Sequence, residues 1–267
     1  MTLIIQKPTG GKLAMRQAYI GTDDADAAVY IAAVEAADGQ ALETATRVAI
    51  HSFVKGCKAD GIWTAIKASC ILAGARTLAG ALVPLVGTAP TNVNFVSGDY
   101  NRKTGLVGDG STKNLQANRN NTSDPQNNRH MSVYVTTVDN RAVTRTYIGV
   151  GFGNGWTSII DNQVGTMQVW CSSIVSNTTR VSNSAGLIGA SRNIYESFTA
   201  RSGGSDTTVL HGSQAPQSSA FGVFSNGSLQ ERTTARIAFY SIGESLNLAL
   251  LDTRVTNLIN AFATAIP

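Results

Sequence analysis

Hydrophobic and polar positions follow two rhythms along this chain, and the change falls near residue 90. Before it the spacing is helical. Residues 24–38 are rich in alanine, with Thr22 or Asp23 placed to cap the first turn and Gly39 to stop the last. Val29, Ile31, Ala32 and Val34 spread beyond a narrow stripe, which predicts a helix covered on more than one side. A second helix is predicted over Leu42–Ala59, where Val48, Ala49, Phe53 and Cys57 approximate helical spacing. The segment Ile62–Ala68 sets Ile62, Trp63 and Ile66 at helical positions as well.

From residue 91 the pattern becomes short alternating runs between Gly, Asn, Asp and Ser turns. Strands are predicted at 92–96, 130–137, 144–150, 157–160, 166–172, 186–191, 195–201, 207–211, 221–224 and 234–240. Many short strands at close spacing predict an antiparallel sandwich or barrel, not a βαβ fold. Residues 114–130, dense in asparagine, are expected to form a polar loop. Helical spacing returns over 246–263, with Leu248, Leu251, Val255, Leu258, Ile259 and Phe262 on one face. No repeat of propeller or solenoid length is visible.

Composition narrows the functional classes. The chain has 267 residues, with 14% charged side chains, 26 glycines and a net charge of +4. Low charge with abundant turn residues excludes a coiled-coil rod and a disordered chain. No run of Lys or Arg forms a patch suited to nucleic acid. Beyond residue 90, 13 Lys and Arg face 10 acids, and 11 of the 13 are Arg, which suggests polar contacts spread over a surface. Cys57, Cys70 and Cys171 form no CxxC pair and lie among apolar residues, so buried thiols in a reducing compartment are expected. No signal peptide or bilayer-spanning segment is predicted.

Catalytic patterns are weak. The acids beyond residue 90 stand singly, from Asp99 and Asp109 to Glu244 and Asp252, without the paired spacing of a glycosidase strand. His51, His130 and His211 fall in no metal-binding spacing. The run Gly149–Gly155 lacks the Lys-Ser/Thr of a phosphate loop and reads as a hairpin turn. Turn formation accounts for Asp109 and Asp124, although turn oxygens of this kind also ligate calcium. No cofactor or metal site is implied. Aromatic and amide side chains are the better candidates. Trp170 reads as a strand residue of the core, whereas Trp156, beside a Gly-Asn-Gly turn, reads as a surface plate. Tyr195 adds a ring with a polar tip, and Arg119 and Asn121 supply loop hydrogen bonds. Trp156, Arg119, Asn121 and Tyr195 are therefore the candidate glycan contacts.

Three blocks carry a family resemblance: residues 60–83, residues 94–113 with Gly105-Leu-Val-Gly-Asp-Gly-Ser-Thr112, and residues 236–246 with Ile237-Ala-Phe-Tyr-Ser-Ile-Gly243. Together they resemble a concanavalin-A-like lectin/glucanase domain found in virion proteins of tailed bacteriophages, and the likeness covers residues 24–267. It implies a mainly β fold, an antiparallel jelly-roll sandwich with N-terminal helices and a C-terminal helix. In the last block Ile237 and Phe239 are expected on one side of a strand, with Ala238 and Tyr240 on the other. The implied organisation is an arm or edge strands over 1–21, a helical region over 22–89, and the jelly roll with its terminal helix over 90–267. Nothing matches the metal loop of plant lectins, so no sugar-binding residue carries over.

The resemblance implies a non-enzymatic virion protein, assembled in the host cytoplasm. Its expected setting is a homotrimeric tail fibre or host-recognition appendage that contacts host-surface polysaccharide. The alternative is a capsid decoration, head-fibre or baseplate cement protein that binds other virion proteins and no glycan. Neither nucleic acid nor membrane insertion is expected.

Overall fold

The computed structural model describes residues 24–151, 153, 155–173 and 179–267; the predicted arm over 1–21 and the cap positions Thr22 and Asp23 lie outside them. Helix α1 (Ala25–Asp38) is capped by Asp24, whose side chain accepts from the Asp26 and Ala27 N–H groups, and it ends at Gly39 with φ 65°. It buries one face through Ala27, Tyr30, Ile31 and Val34. Val29 is 73% exposed, so the broad coverage expected for this helix is corrected to a single stripe. Helix α2 (Thr44–Ala59) buries Ala49, Ile50, Phe53, Val54 and Cys57. A one-turn helix, α3, spans Leu78–Ala81. The terminal helix α4 (Leu248–Ala265) buries the six apolar residues that its periodicity singled out.

Among the described residues fifteen strands follow in chain order: β1 (Ile66–Ile71), β2 (Thr91–Val93), β3 (Tyr100–Asn101), β4 (Gly105–Val107), β5 (Asn114–Asn120), β6 (Arg129–Thr137), β7 (Arg145–Gly149), β8 (Trp156–Asp161), β9 (Thr166–Ser173), β10 (Arg180–Ser182), β11 (Gly186–Arg192), β12 (Ser197–Ser202), β13 (Ser205–Leu210), β14 (Ala220–Val223) and β15 (Arg236–Gly243). They form two antiparallel sheets. The first runs β13-β12-β11-β6-β15-β4-β3, with β1 also paired to β15; the second runs β10-β9-β8-β7-β14-β5-β2. The expected antiparallel sandwich with N-terminal helices and a C-terminal helix is the observed architecture.

Three local expectations are corrected. Ile62–Ala68 is not helical: a single 3-10 turn at Trp63–Ala65 leads into β1, which pairs with β15 from Ile66↔Gly243 to Ile71↔Phe239. Residues 114–120 are a strand, not loop, because Leu115 and Ala117 alternate into the core between Asn114, Gln116 and Asn118. In β15 the register shifts between Ile237 and Phe239. That bulge leaves Ile237 and Tyr240 in the sandwich core and turns Ala238 and Phe239 together toward the helices.

The bulge couples two cores. One fills the space between the sheets around Val133, Ile148, Val169 and Tyr240; the other joins the first sheet to α1, α2 and α4. Phe239 meets Phe53 of α2 edge-on at 5.9 Å, a favourable aromatic geometry. At Gly105, φ is 94° and an added Cβ would stand 2.2 Å from the Ile237 carbonyl oxygen, so this position of the matched block admits only glycine.

Candidate functional site

One end of the sandwich gathers the loops that carry the predicted contacts. There the chain passes through residues 121–128 before β6, the β11–β12 turn at 193–196, the segment 211–219 after β13, and the β15–α4 connection at 244–247. These loops are tied to each other by side chains. Gln126 Nε2 donates to Ser213 Oγ at 2.7 Å, and Asn128 Oδ1 accepts from Ser245 N–H and hydroxyl at 2.9 and 2.6 Å. Ser191 Oγ accepts from the Leu246 N–H at 3.1 Å and donates to its carbonyl at 2.8 Å.

Two buried arginines anchor this end. Arg192, fully buried at the end of β11, donates to the carbonyls of Cys171, Ile194, Tyr195, Ser197 and His211. Arg129, at the start of β6, donates to the Asn121, Asp124 and Pro125 carbonyls and to Asn121 Oδ1. Burial lowers the pKa of both guanidinium groups from its ordinary value. Five donors in a planar fork suit a cluster of carbonyls converging from several loops, which lysine cannot match. A third arginine, Arg145, does the same at the opposite end, where it holds the carbonyls of Asp139, Arg141, Val143, Asp161, Gln163 and Thr166. The arginine surplus is therefore partly internal; the reading of it as surface contacts is corrected for these three.

The four predicted contacts come together at the anchored end, but in unequal roles. Tyr195 is 54% exposed, its ring lies against Gly212, and its carbonyl is held by Arg192 and by the Ser213 N–H. Arg119 is half-buried and forks onto Asp124, with Nε to Oδ2 at 2.9 Å and Nη2 to Oδ1 at 2.5 Å. Asn121 is fully buried and donates to the carbonyls of Gly155 and Gln217, both at 3.2 Å. Trp156 is buried too: it stacks on Trp170 at 4.5 Å between centroids, and its Nε1 donates to the Val150 carbonyl. The expectation of surface plates and loop contacts at Trp156 and Asn121 is corrected, because both spend their polar groups on loop backbone.

From Asn193, two residues before Tyr195 on the β11–β12 turn, a groove of about 410 Å³ extends to Asp206 of β13, lined by Ser191, Thr199, Ser245 and Asn247 together with Leu246 and Leu248. Its hydroxyl, amide and carboxylate groups include both donors and acceptors, the chemistry that a polyhydroxylated ligand requires, with Ser191, Ser245 and Asp206 already bonded to Leu246, Asn128 and Arg201. The sequence reading missed these residues, since they come from β11, β12, β13 and the α4 cap and no local motif links them. Only Asn247 carried a signal, as an amide directly before a helical run; its side chain accepts from the Ala249 and Leu250 N–H groups.

The acids of the β region are mostly engaged in structure. Asp99, Asp139, Asp161 and Asp252 bond to Lys113, Arg141, Arg180 and Arg201. Asp109 Oδ1 accepts from the N–H groups of Ser111, Thr112 and Lys113, the turn role predicted for it. Among the described residues no three His, Cys, Asp or Glu side chains converge as metal ligands. Cys57, Cys70 and Cys171 are buried, and burial pushes the first two thiols up to about 12.

No family model and no curated protein matches this sequence. Solved structures of similar layout include the binding domain of botulinum neurotoxin serotype D, at 11% identity and a TM-score of 0.49, covering 72% of this chain and 50% of that one. The receptor-binding domain of the botulinum neurotoxin C/D mosaic serotype is similar at 11% identity and 0.49, over 73% and 51%. A Trypanosoma rangeli sialidase gives 11% and 0.44, over 72% and 33%. The protein spans about half the length of the two binding domains. Its own two sheets make it an antiparallel β-sandwich, and no site residue is transferred from these structures.

Proposed function

We propose that this protein is a non-enzymatic recognition component of a bacteriophage virion, carried on a tail fibre or equivalent appendage, and that its anchored loop end contacts host-surface glycan. The observation that carries the glycan reading is the groove at Asn193, Thr199 and Asp206, with an exposed ring, Tyr195, on the same β11–β12 turn as Asn193. A sugar presents an apolar face to an aromatic ring and hydroxyls to amides and carboxylates, so the two surfaces suit its two aspects. Arg192 fixes the Tyr195 backbone before any ligand arrives, which limits the ordering entropy lost on binding. The virion setting rests on the resemblance of the sequence blocks at 94–113 and 236–246.

A glycan array probed with the purified full-length protein tests the site. Binding to host polysaccharide is expected, with Tyr195→Ala and Asn193→Ala each reducing it at least tenfold while the thermal midpoint stays unchanged. A protein that binds no host polysaccharide overturns the glycan reading, and release of reducing sugar overturns the non-enzymatic one. Labelled antibody that decorates the capsid shell instead of the tail overturns the fibre placement.

A further inference from the structure

Two six-residue strands lie at sheet margins, β1 and β13; Val86 bridges the outer side of β1 at Ser69, whereas among the described residues β13, at the margin of the first sheet, pairs with β12 alone. The other terminal strands, β3, β10 and β2, have only two or three residues. The β12–β13 turn is Gly203-Gly204, with φ of 59° and 75°, the two-residue hairpin geometry that needs positive φ at both positions. In such a hairpin the flanking pair, here Ser202↔Ser205, exchanges both backbone hydrogen bonds, and every second pair after it does the same. Residues 205, 207 and 209 therefore bond to β12. Asp206, Thr208 and Leu210 point their N–H and C=O groups outward.

That outward row lacks the usual guards of a free edge. Ser205–Leu210 contains no lysine, proline or bulge, and its register with β12 is continuous. Its single charge, Asp206, is matched by Arg201 at 2.7 Å, and Arg201 is held from behind by Asp252 of α4. Every residue of the strand except Val209 is exposed, and Leu210 reaches 82%. We infer that this edge is an interface for a second copy of the same protein, which adds its own β13 antiparallel about a two-fold axis at Thr208.

The strand is self-complementary in that arrangement. Thr208 faces its counterpart, and Asp206 faces Leu210 of the partner, so the outward N–H and C=O groups of all three residues meet partners. Leu210 lies diagonal to the partner's threonine methyl at 208, a productive cross-strand contact. The charge of each Asp206 stays on its own Arg201, so like charges are not brought opposite each other. β2, β3 and β10 are too short to offer β13 a matching row, and the outer side of β1 already bonds to Leu85 and Val86 through Ser69. Two-fold pairing of a single edge is closed and does not propagate into a fibre.

Sedimentation of the full-length protein over a range of concentrations tests the interface. A reversible monomer–dimer equilibrium is expected. Thr208→Pro removes an outward N–H that β12 does not use, so it should halve the apparent mass at high concentration without altering the thermal midpoint or the circular dichroism. Leu210→Lys, which leaves the backbone intact, should weaken the dimer at least tenfold and decides the matter if the proline variant fails to fold. A wild-type protein that stays monomeric throughout overturns the inference. So does an assembly, a trimer included, whose mass neither variant changes.

Discussion

Arg192 spends its hydrogen bonds on five backbone carbonyls and rests 5.1 Å from the centre of the Phe198 ring. Removing its fork strands acceptors that water cannot reach. Arg192→Met is expected to lower stability by at least about 3 kcal/mol, given a cost of roughly 1–3 kcal/mol per buried unsatisfied group. Arg192→Lys should recover little of that loss, because one ammonium cannot reach carbonyls in several loops. Urea unfolding of the three proteins measures both. Little of this was visible in the sequence. An arginine after a run of apolar and small residues looks the same whether it faces water or a ring of carbonyls, since its partners come from loops distant along the polypeptide. The same ambiguity placed Trp156 at the surface: the turn beside it was legible, but its stacking on Trp170 of the neighbouring strand was not.

Among the elements, α4 joins the helical layer to the first sheet. Its residue Phe262 is fully buried and presses on Gly74, where even a methyl group would stand 2.7 Å from the ring. Phe262→Ala is expected to cost about 3–5 kcal/mol, the usual range for a buried phenylalanine, and thermal denaturation monitored by circular dichroism checks it. This helix was legible because six apolar residues repeat at one period and an asparagine caps the run. All ten predicted strand segments overlap observed strands for a related reason, each run of strand-forming residues and the turn residues that bound it lying close together in the sequence. Elements whose periodicity is disguised were not legible. β1 is buried on both sides, between the sandwich core and the helices, so it shows no alternation. β5 hides behind a run of asparagines, and the β15 bulge is a property of pairing, invisible in one strand's sequence. The groove was illegible for the same reason, being assembled from three strands and a helix cap.

For the molecule as a whole, acid tests the packing at both the loop end and the helical layer. His130 lies buried between Ser241 and the Glu244 carbonyl, and burial pulls its pKa down from 6.5 to about 4. The unfolded state takes up this proton at higher pH than the folded one, so the stability involved is complete above pH 6.5 and is lost as the pH falls to about 4. Glu43 follows lower down: hydrogen bonding to Arg102 holds it at about 2 instead of 4.5, so its contribution is present above pH 4.5 and lost toward about 2. Denaturant titrations from pH 7 to 3 should therefore show declining stability, with the slope between 6.5 and 4 reduced in His130→Gln. The carbonyl clusters have a different consequence. Every amino acid carries the same backbone carbonyl, so Arg129, Arg145 and Arg192 grip the loops largely without regard to which side groups those loops bear. Anchorage of this kind is thereby written in the backbone, apart from the side chains. Turn residues whose side chains make no tie of their own can therefore vary while these backbone bonds hold the loops to the sandwich.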